Sequence, residues 1–413
     1  MVSSFLLTPL TTISLGIGGT IKHIPEDFIV GEITENLEVL DPRNEVFELE
    51  GKTGLFVHLV LIKNDIDTSD ALDYLSKIWK IPRDNISFAG SKDKKAFTAQ
   101  RVSVWGIKDK FEKNKIKEIN LPKIKTKSLC LRIKELRLGN LWGNFFEIII
   151  RDISLDESEV RTRLLETFNE IEDNGMILNG YGQQRFGDTR PITHWVGEKL
   201  LLGDCKEAIK EYIGRAFKGE SKEVRQSRKI YWETEDIEET IKLLPNHLKI
   251  ERKLLIDLQK TNNDYKQVIF NLPIQFRKLF IHAYQSYLFN KYLTKRYFEY
   301  NNNLAEPIKG EKIIHDEVFA PIIGSKIELT GDVKEIYEKI LEEEPISFGD
   351  FLKPLSQKLG STGSFRPIRM IPEKLSLIET SKDLLNEGKS IARISFELKK
   401  GSYATELLKE IIK

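Results

Sequence analysis

The chain has 413 residues, enough for two domains or for one domain carrying a large insertion. Its 40% hydrophobic and 31% charged residues describe a globular protein with a real core and a densely charged surface. A net charge of +1 excludes a global basic field, so any RNA binding has to come from a local patch. Cys130 and Cys205 form no Cys-x-x-Cys pair and the histidines form no His-x-x-x-His pair, so neither a disulfide framework nor a metal site is expected. Phe5-Leu6-Leu7 is followed by Pro9, Thr11 and Thr12 with no basic residue ahead of it, which does not read as a signal peptide. No apolar run approaches membrane-spanning length, and a cytoplasmic protein with no membrane partner is expected.

In chain order, Gly16-Ile17-Gly18-Gly19 has the wrong spacing for a dinucleotide loop, and Pro25 interrupts the helix that should follow. It reads as a flexible turn, and no nucleotide cofactor is expected. Phe28 to Ile33 alternates as a short strand, and Gly54 to Ile62 as another. Asp67-Thr68-Ser69-Asp70 supplies N-cap chemistry for a helix with Ala71, Leu72, Leu75, Ile78 and Trp79 on one face, ended by Pro82. Ile86-Ser87-Phe88 reads as the end of a strand. Gly90 then permits a turn that a residue with a side chain would resist, and Ala96 to Val104 resumes an extended pattern. Within that turn one carboxylate, Asp93, sits among Lys92, Lys94 and Lys95. Nearby cations favour its ionised form, so it reads either as a charged, solvated turn or as a nucleophile facing a polyanion.

The lysines from Lys108 to Lys127 form either a phosphate-binding run or a solvated face. Leu138 to Ile150 reads as a turn feeding a buried strand, with Phe146, Ile148 and Ile150 alternating onto one side. From Asp156 a helix buries Val160, Leu164, Phe168 and Ile171 and stops near Gly175. Beyond about residue 188 the pattern turns mainly helical, with a basic segment (Arg215, Lys218, Lys222, Arg225, Arg228, Lys229), an acidic one from Glu233 to Glu239, and a helix around Ile281 to Asn290 too apolar to lie on the surface. Asn301-Asn302-Asn303 and Gly360-Ser361-Thr362-Gly363 read as loops. Ala392 to Leu398 alternates as a strand before a terminal amphipathic helix.

Several stretches together resemble one family. Gly90-x-Lys92-Asp93-x-x-Ala96-x-Thr98-x-Gln100 is similar to the signature of the TruD family of pseudouridine synthases, and so is Lys22-x-x-Pro25-Glu26-Asp27-Phe28-x-Val30-x-Glu32. Gly143-Asn144-x-Phe146, Gln184-Arg185-Phe186-Gly187, Ala283-Tyr284-Gln285-Ser286 and Gly401-Ser402-Tyr403-Ala404-Thr405 also follow it, in the family's order. Gly180-Tyr181 departs from it, standing where the family has two aromatics. The resemblance implies an α+β fold: a pseudouridine-synthase-like catalytic domain with a mixed sheet, interrupted by a mainly helical α/β TRUD insertion domain. Residues 1–187 and 373–413 would form the catalytic domain and 188–372 the insertion.

The resemblance further implies isomerisation of uridine to pseudouridine in RNA, most of all tRNA at position 13 of the D-arm, with no cofactor and no metal. Asp93 would be the catalytic residue, attacking sugar or base or acting as a base. Lys22 would hold it ionised, Asn144 orient it and Phe146 stack on the target base, the alternative for Phe146 being ordinary core packing. Lys92, Gln184, Arg185 and Tyr403 would border the site or touch RNA, Arg185 meeting a phosphate or a structural carboxylate. The resemblance also covers His58 and Lys63, to which no chemistry is assigned. Two rivals remain at this level: a non-catalytic RNA-binding or RNA-chaperone protein, and a hydrolase pairing Asp93 with Glu26 or Asp27. A carboxyl about 5–10 Å from Asp93 would favour the hydrolase, and a nearer lysine would count against it.

Overall fold

A computed structural model of the chain describes residues 8–49, 51–113, 116–187, 189–300 and 303–413. The expectations for Phe5-Leu6-Leu7, Lys115 and Asn301-Asn302 lie outside the described residues. The chain forms two compact units, one of Leu10–Ile177 and Met370–Lys413, the other of Leu178–Arg369 with Thr8 and Pro9.

The first unit begins with β1 (Phe28–Ile33) and β2 (Phe56–Asn64). Helix α1 (Thr68–Trp79) follows, its N-terminus capped by Asp67, whose carboxylate accepts from the Ser69 amide at 2.8 Å. The helix ends one turn before Pro82, at Lys80 in the left-handed conformation (φ 52°). Ala71, Leu72, Leu75 and Trp79 are buried as the spacing predicts, but Ile78 is 44% exposed, because it lies just outside the edge of the buried stripe. Then come β3 (Ile86–Phe88), β4 (Phe97–Trp105), the short α2 (Lys108–Glu112), β5 (Ile124–Arg132) and β6 (Gly143–Ile153). Helix α3 (Glu157–Asn174) is capped by Asp156 and stopped by Gly175 at φ 63°. Two-residue strands, β7 (Ile177–Leu178) and β11 (Arg369–Met370), mark where the chain passes between the units.

The second unit is mainly helical. It holds α4 (Thr193–Leu202), α5 (Cys205–Gly214), α6 (Lys222–Thr234), α7 (Ile237–Leu243), α8 (Lys249–Lys260), α9 (Tyr265–Phe270) and the long α10 (Ile274–Glu299). A three-stranded sheet of β8 (Lys312–Ile314), β9 (Glu317–Ile322) and β10 (Ser364–Pro367) accompanies α11 (Gly331–Glu342), α12 (Phe348–Leu352) and α13 (Pro354–Lys358). Ala283, Tyr284, Leu288 and Phe289 of α10 are all buried, in keeping with their density in the sequence. The first unit resumes with β12 (Glu373–Lys382) and β13 (Ser390–Lys399) and closes with α14 (Ala404–Ile412).

The first unit's strands form one mixed sheet in the order β12-β13-β6-β1-β4-β2-β5, with β3 attached to β4. Only β1 and β4 run parallel among these pairs. Phe146, Ile148 and Ile150 of β6 share one face with Ala392, Ile394 and Phe396 of β13, and α3 and α14 bury it through Val160, Leu164, Leu407 and Ile411. Farther along, Val57, Leu59 and Leu61 of β2 pack on Ala71, Leu72 and Leu75 of α1. One expectation needs correcting. Gly16-Ile17-Gly18-Gly19 is no flexible turn: Ile17 is 3% exposed, and the Ile17 and Gly18 amides donate to the Ile411 and Ile412 carbonyls at 3.0 Å each. A Cβ on Gly16 would lie 2.4 Å from the Ile412 carbonyl oxygen, so the glycine serves close packing.

Candidate active site

Strand β4 has its whole length against β2, but its other edge is shared. β1 pairs with Phe97 to Ala99, and β3 with Val102 to Val104. Gln100 and Arg101 therefore fall between two strand ends, and the loop from Ala89 to Ala96 is tied down there. The Gln100 amide donates to the Gly90 carbonyl at 3.0 Å. Thr68, the first residue of α1, accepts from the Lys92 amide at 3.1 Å. Lys63, fully buried, donates to the Ile66 carbonyl at 3.0 Å and also to the Asp93 carbonyl. Gly90 itself has an ordinary φ, and a Cβ there would meet only Lys92 Nζ, 4.0 Å away. The expected steric demand for glycine is not met, because the loop takes its shape from these side-chain ties.

These ties present the Asp93 carboxylate beside Lys22, whose Nζ stands 2.8 Å from Asp93 Oδ1. Lys22 adopts φ 62°, a left-handed conformation that costs a residue with a Cβ about 1–2 kcal/mol. Its ammonium also lies 4.1 Å from the centroid of the Phe28 ring, a cation–π contact. The two side chains are 25% and 23% exposed, so the pair is within reach of a ligand. Lys92 points elsewhere. It is 7% exposed and stands 3.9 Å from Glu32, whose other oxygen accepts from Arg101 Nε at 2.7 Å. Burial pushes the Lys92 ammonium below its ordinary pKa against the pull of Glu32, and pushes Glu32 up against Lys92 and Arg101. Lys63 falls to about 8, burial outweighing the attraction of Asp93.

From this pair an aromatic row runs into the sheet. The edge of Phe28 meets Phe146 at 6.1 Å between centroids, and Phe146 stacks on Phe396 at 5.1 Å. Phe146 is thus 6% exposed and part of the core. Asn144, two residues earlier, pairs with Glu32 of β1 and Leu398 of β13. Its Oδ1 is buried without a partner, an arrangement that costs free energy until a donor arrives. Tyr403 is the N-cap residue of α14, four residues past the pairing of Lys399 with Gly143. Gln184 and Arg185 belong to the other unit, in a single 3-10 turn, where Arg185 Nε donates to Ser286 Oγ at 3.0 Å.

The carboxylates proposed as partners for Asp93 are engaged elsewhere. Asp27 is fully buried against Arg151, 2.8 Å away, and Glu26 accepts from Asn64 at 2.7 Å. The lysine Lys22 stands 2.8 Å from Asp93. His58 donates Nε2–H to the Lys134 carbonyl at 2.8 Å and is a buried structural group. Of the lysine run, Lys108, Lys123 and Lys127 pair with Glu112, Asp65 and Glu45. Sequence reasoning assigned no role to Arg101 or Lys63; the available signal was the polar residues Lys63, Gln100 and Arg101 inside otherwise apolar strands. Among the described residues no His, Cys, Asp or Glu cluster could hold a metal ion, and no helix is long and apolar enough to cross a membrane.

The model of the family "tRNA pseudouridine synthase D (TruD)" matches residues 7–319 and 315–411. Among curated relatives named "Probable tRNA pseudouridine synthase D", that of Methanococcoides burtonii is 34% identical, with 98% of this chain and 95% of the relative covered. That of Methanosarcina acetivorans is 35% identical, with 96% and 93% covered. The crystal structure of TruD from Methanosarcina mazei superposes with a TM-score of 0.75 at 31% identity, covering 99% of this chain and 96% of that one. A match that spans the first unit on both sides of the second, in sequence and in fold, means that this chain belongs to the TruD family of tRNA pseudouridine synthases.

Proposed function

We propose that this chain isomerises uridine to pseudouridine in tRNA, at position 13 of the D-arm, with Asp93 as the catalytic residue. The observation that carries the assignment is the Asp93–Lys22 ion pair of 2.8 Å, made by a lysine held in a left-handed backbone conformation. The reaction balances within the nucleotide. The N1–C1′ bond breaks, the C5–C1′ bond forms, and the proton leaving C5 is balanced by one gained at N1. No oxidation state changes, so the proposal calls for neither cofactor nor metal. Asp93 contributes a carboxylate, as nucleophile towards sugar or base or as the base that takes a sugar proton.

Lys22 balances that charge and, held over Phe28, keeps one oxygen of Asp93 fixed. Phe146, which stands between Phe28 and Phe396, is assigned the contact with an extruded uracil through the small part of its ring left uncovered. The unpartnered Oδ1 of Asn144 would accept from an N–H or O–H of the incoming nucleotide. Lys92, Tyr403, Gln184 and Arg185 are assigned to the border of the site or to RNA contact.

The test is pseudouridine-specific chemical mapping of unmodified tRNA incubated with wild-type protein and with Asp93→Ala. The wild type should produce a new signal in the D-arm. The variant should lose several orders of magnitude in rate, on the order of 4 kcal/mol or more of barrier, while still binding the RNA. Modification by Asp93→Ala at the wild-type rate would remove Asp93 from the chemistry. RNA binding by both proteins, with no pseudouridine formed in a broad pool of RNAs, would leave an RNA-binding protein.

A further inference from the structure

The basic segment around α6 divides by helical phase into two populations. Arg228 turns inward: it is fully buried and donates to Glu220 at 2.7 Å and Glu251 at 3.0 Å. Lys222, Arg225, Gln226, Lys229 and Trp232 instead lie along the exposed side of the helix. This face lines a groove of about 650 Å³, walled on the other side by Gly214 and Arg215 at the end of α5. A Cβ on Gly214 would lie 3.1 Å from the Trp232 backbone, which is how closely α5 approaches α6 here.

The groove combines two chemistries. Its floor is an indole: Trp232 is 36% exposed, and the Arg215 guanidinium sits 5.0 Å from its ring and 4.6 Å from that of Trp195. Arg215 is already neutralised by Glu211, at 2.5 Å, and so holds the floor in place. Its rim is cationic. Lys222 and Arg225 have no ion-pair partner among the described residues, and Lys229 has only the exposed Glu233 at 3.7 Å. An exposed pair of that kind is worth little and exchanges readily. From Lys222 to Lys229 the rim runs about 10 Å along the helix axis, longer than a single anion needs.

We propose that this groove of the second unit is a docking site for the tRNA substrate, with Lys222, Arg225 and Lys229 on backbone phosphates and the Trp232 ring against a base or ribose. Unpaired cations beside an exposed aromatic face are the two elements that hold RNA without reading its sequence. The assignment rests on the proposed tRNA reaction, and the experiment separates the two.

Binding of unmodified tRNA is measured against salt concentration for wild type and for the triple variant Lys222→Gln, Arg225→Gln, Lys229→Gln, all on an exposed helix face. The slope of log affinity against log salt should fall by about 2–3, from three lost phosphate contacts. The KM for tRNA should rise at least tenfold, with kcat at saturation unchanged. Trp232→Leu should weaken binding about tenfold and leave the slope alone, because stacking releases no counterions. A triple variant with wild-type affinity and slope overturns the docking site even if pseudouridine forms normally. The expected slope change without any pseudouridine from the wild type would keep the site and overturn the reaction.

Discussion

Lys22 and Lys63 approach Asp93 from opposite chemical positions. Lys22 holds its carboxylate, from a strained backbone and with its ammonium partly in solvent; Lys63 holds its main-chain carbonyl, from full burial. The difference has a measurable consequence for Lys63, whose pKa falls from an ordinary 10.5 to about 8, chiefly because burial penalises the charged form. In the unfolded chain the same ammonium keeps its proton up to pH 10.5. Between the two values the unfolded state therefore binds more protons, and this residue's contribution to stability rises with pH. Its penalty is fully present below pH 8 and lifts as the pH climbs towards 10.5. Lys63→Met removes the titration while keeping an unbranched apolar stem. The stability of wild type relative to Lys63→Met should rise with pH across that window, by at most about 1.4 kcal/mol per pH unit. Urea denaturation of both proteins at pH 7 and pH 9.5 reads it. A gap that does not change with pH would mean that Lys63 titrates alike in both states.

The loop carrying Asp93 works as an element because three strands and a helix meet around it, and the strand next to it is just as tightly specified. Gly143 opens β6, one residue before Asn144, and a Cβ there would stand 2.0 Å from the Leu398 carbonyl oxygen of β13. Backbone, unlike the end of a side chain, cannot move aside, so Gly143→Ala should destabilise by about 1–3 kcal/mol and lower the thermal midpoint. An unchanged midpoint would show that β13 gives way at this point. The same geometry explains what was legible in the sequence. The helix caps at Asp67 and Asp156, the alternation of β6 and the motif around Asp93 depend on neighbours a few residues away, and all can be read locally. The packing of Gly16 against Ile412 and the approach of Gly143 to Leu398 depend on chain hundreds of residues distant. So does the burial of Glu32 between Lys92 and Arg101, which needs β1 laid beside β4. Gly90 shows the converse: within a motif it looks like a steric requirement, yet the observed backbone places none on it.

At the scale of the whole chain, the first unit is discontinuous, and its last 44 residues, Met370–Lys413, are structural rather than peripheral. Strand β13 lies inside the sheet between β12 and β6, and α14 buries Leu407, Leu408 and Ile411 against α3 and the Ile17 strap. The two ends of the unit are also joined by Glu410, which accepts from the amide and hydroxyl of both Thr11 and Thr12 at 2.8–3.1 Å. Each fully buried apolar side chain of α14 contributes about 1.5–3 kcal/mol, and three of them rival the 5–15 kcal/mol that keeps a typical domain folded. Ending the chain at Ser402 should therefore abolish cooperative folding of the first unit. Removing the second unit should not. Ile177 and Met370, which flank it, both sit in the first unit's apolar core, so a short Gly/Ser linker in place of residues 178–369 rejoins chain already held together by the core. The excised protein should show a single cooperative thermal transition and a helix and strand content matching the first unit by circular dichroism. A transition without cooperativity in the linked protein would mean that the insertion, not the returning β13 and α14, completes the fold that carries Asp93.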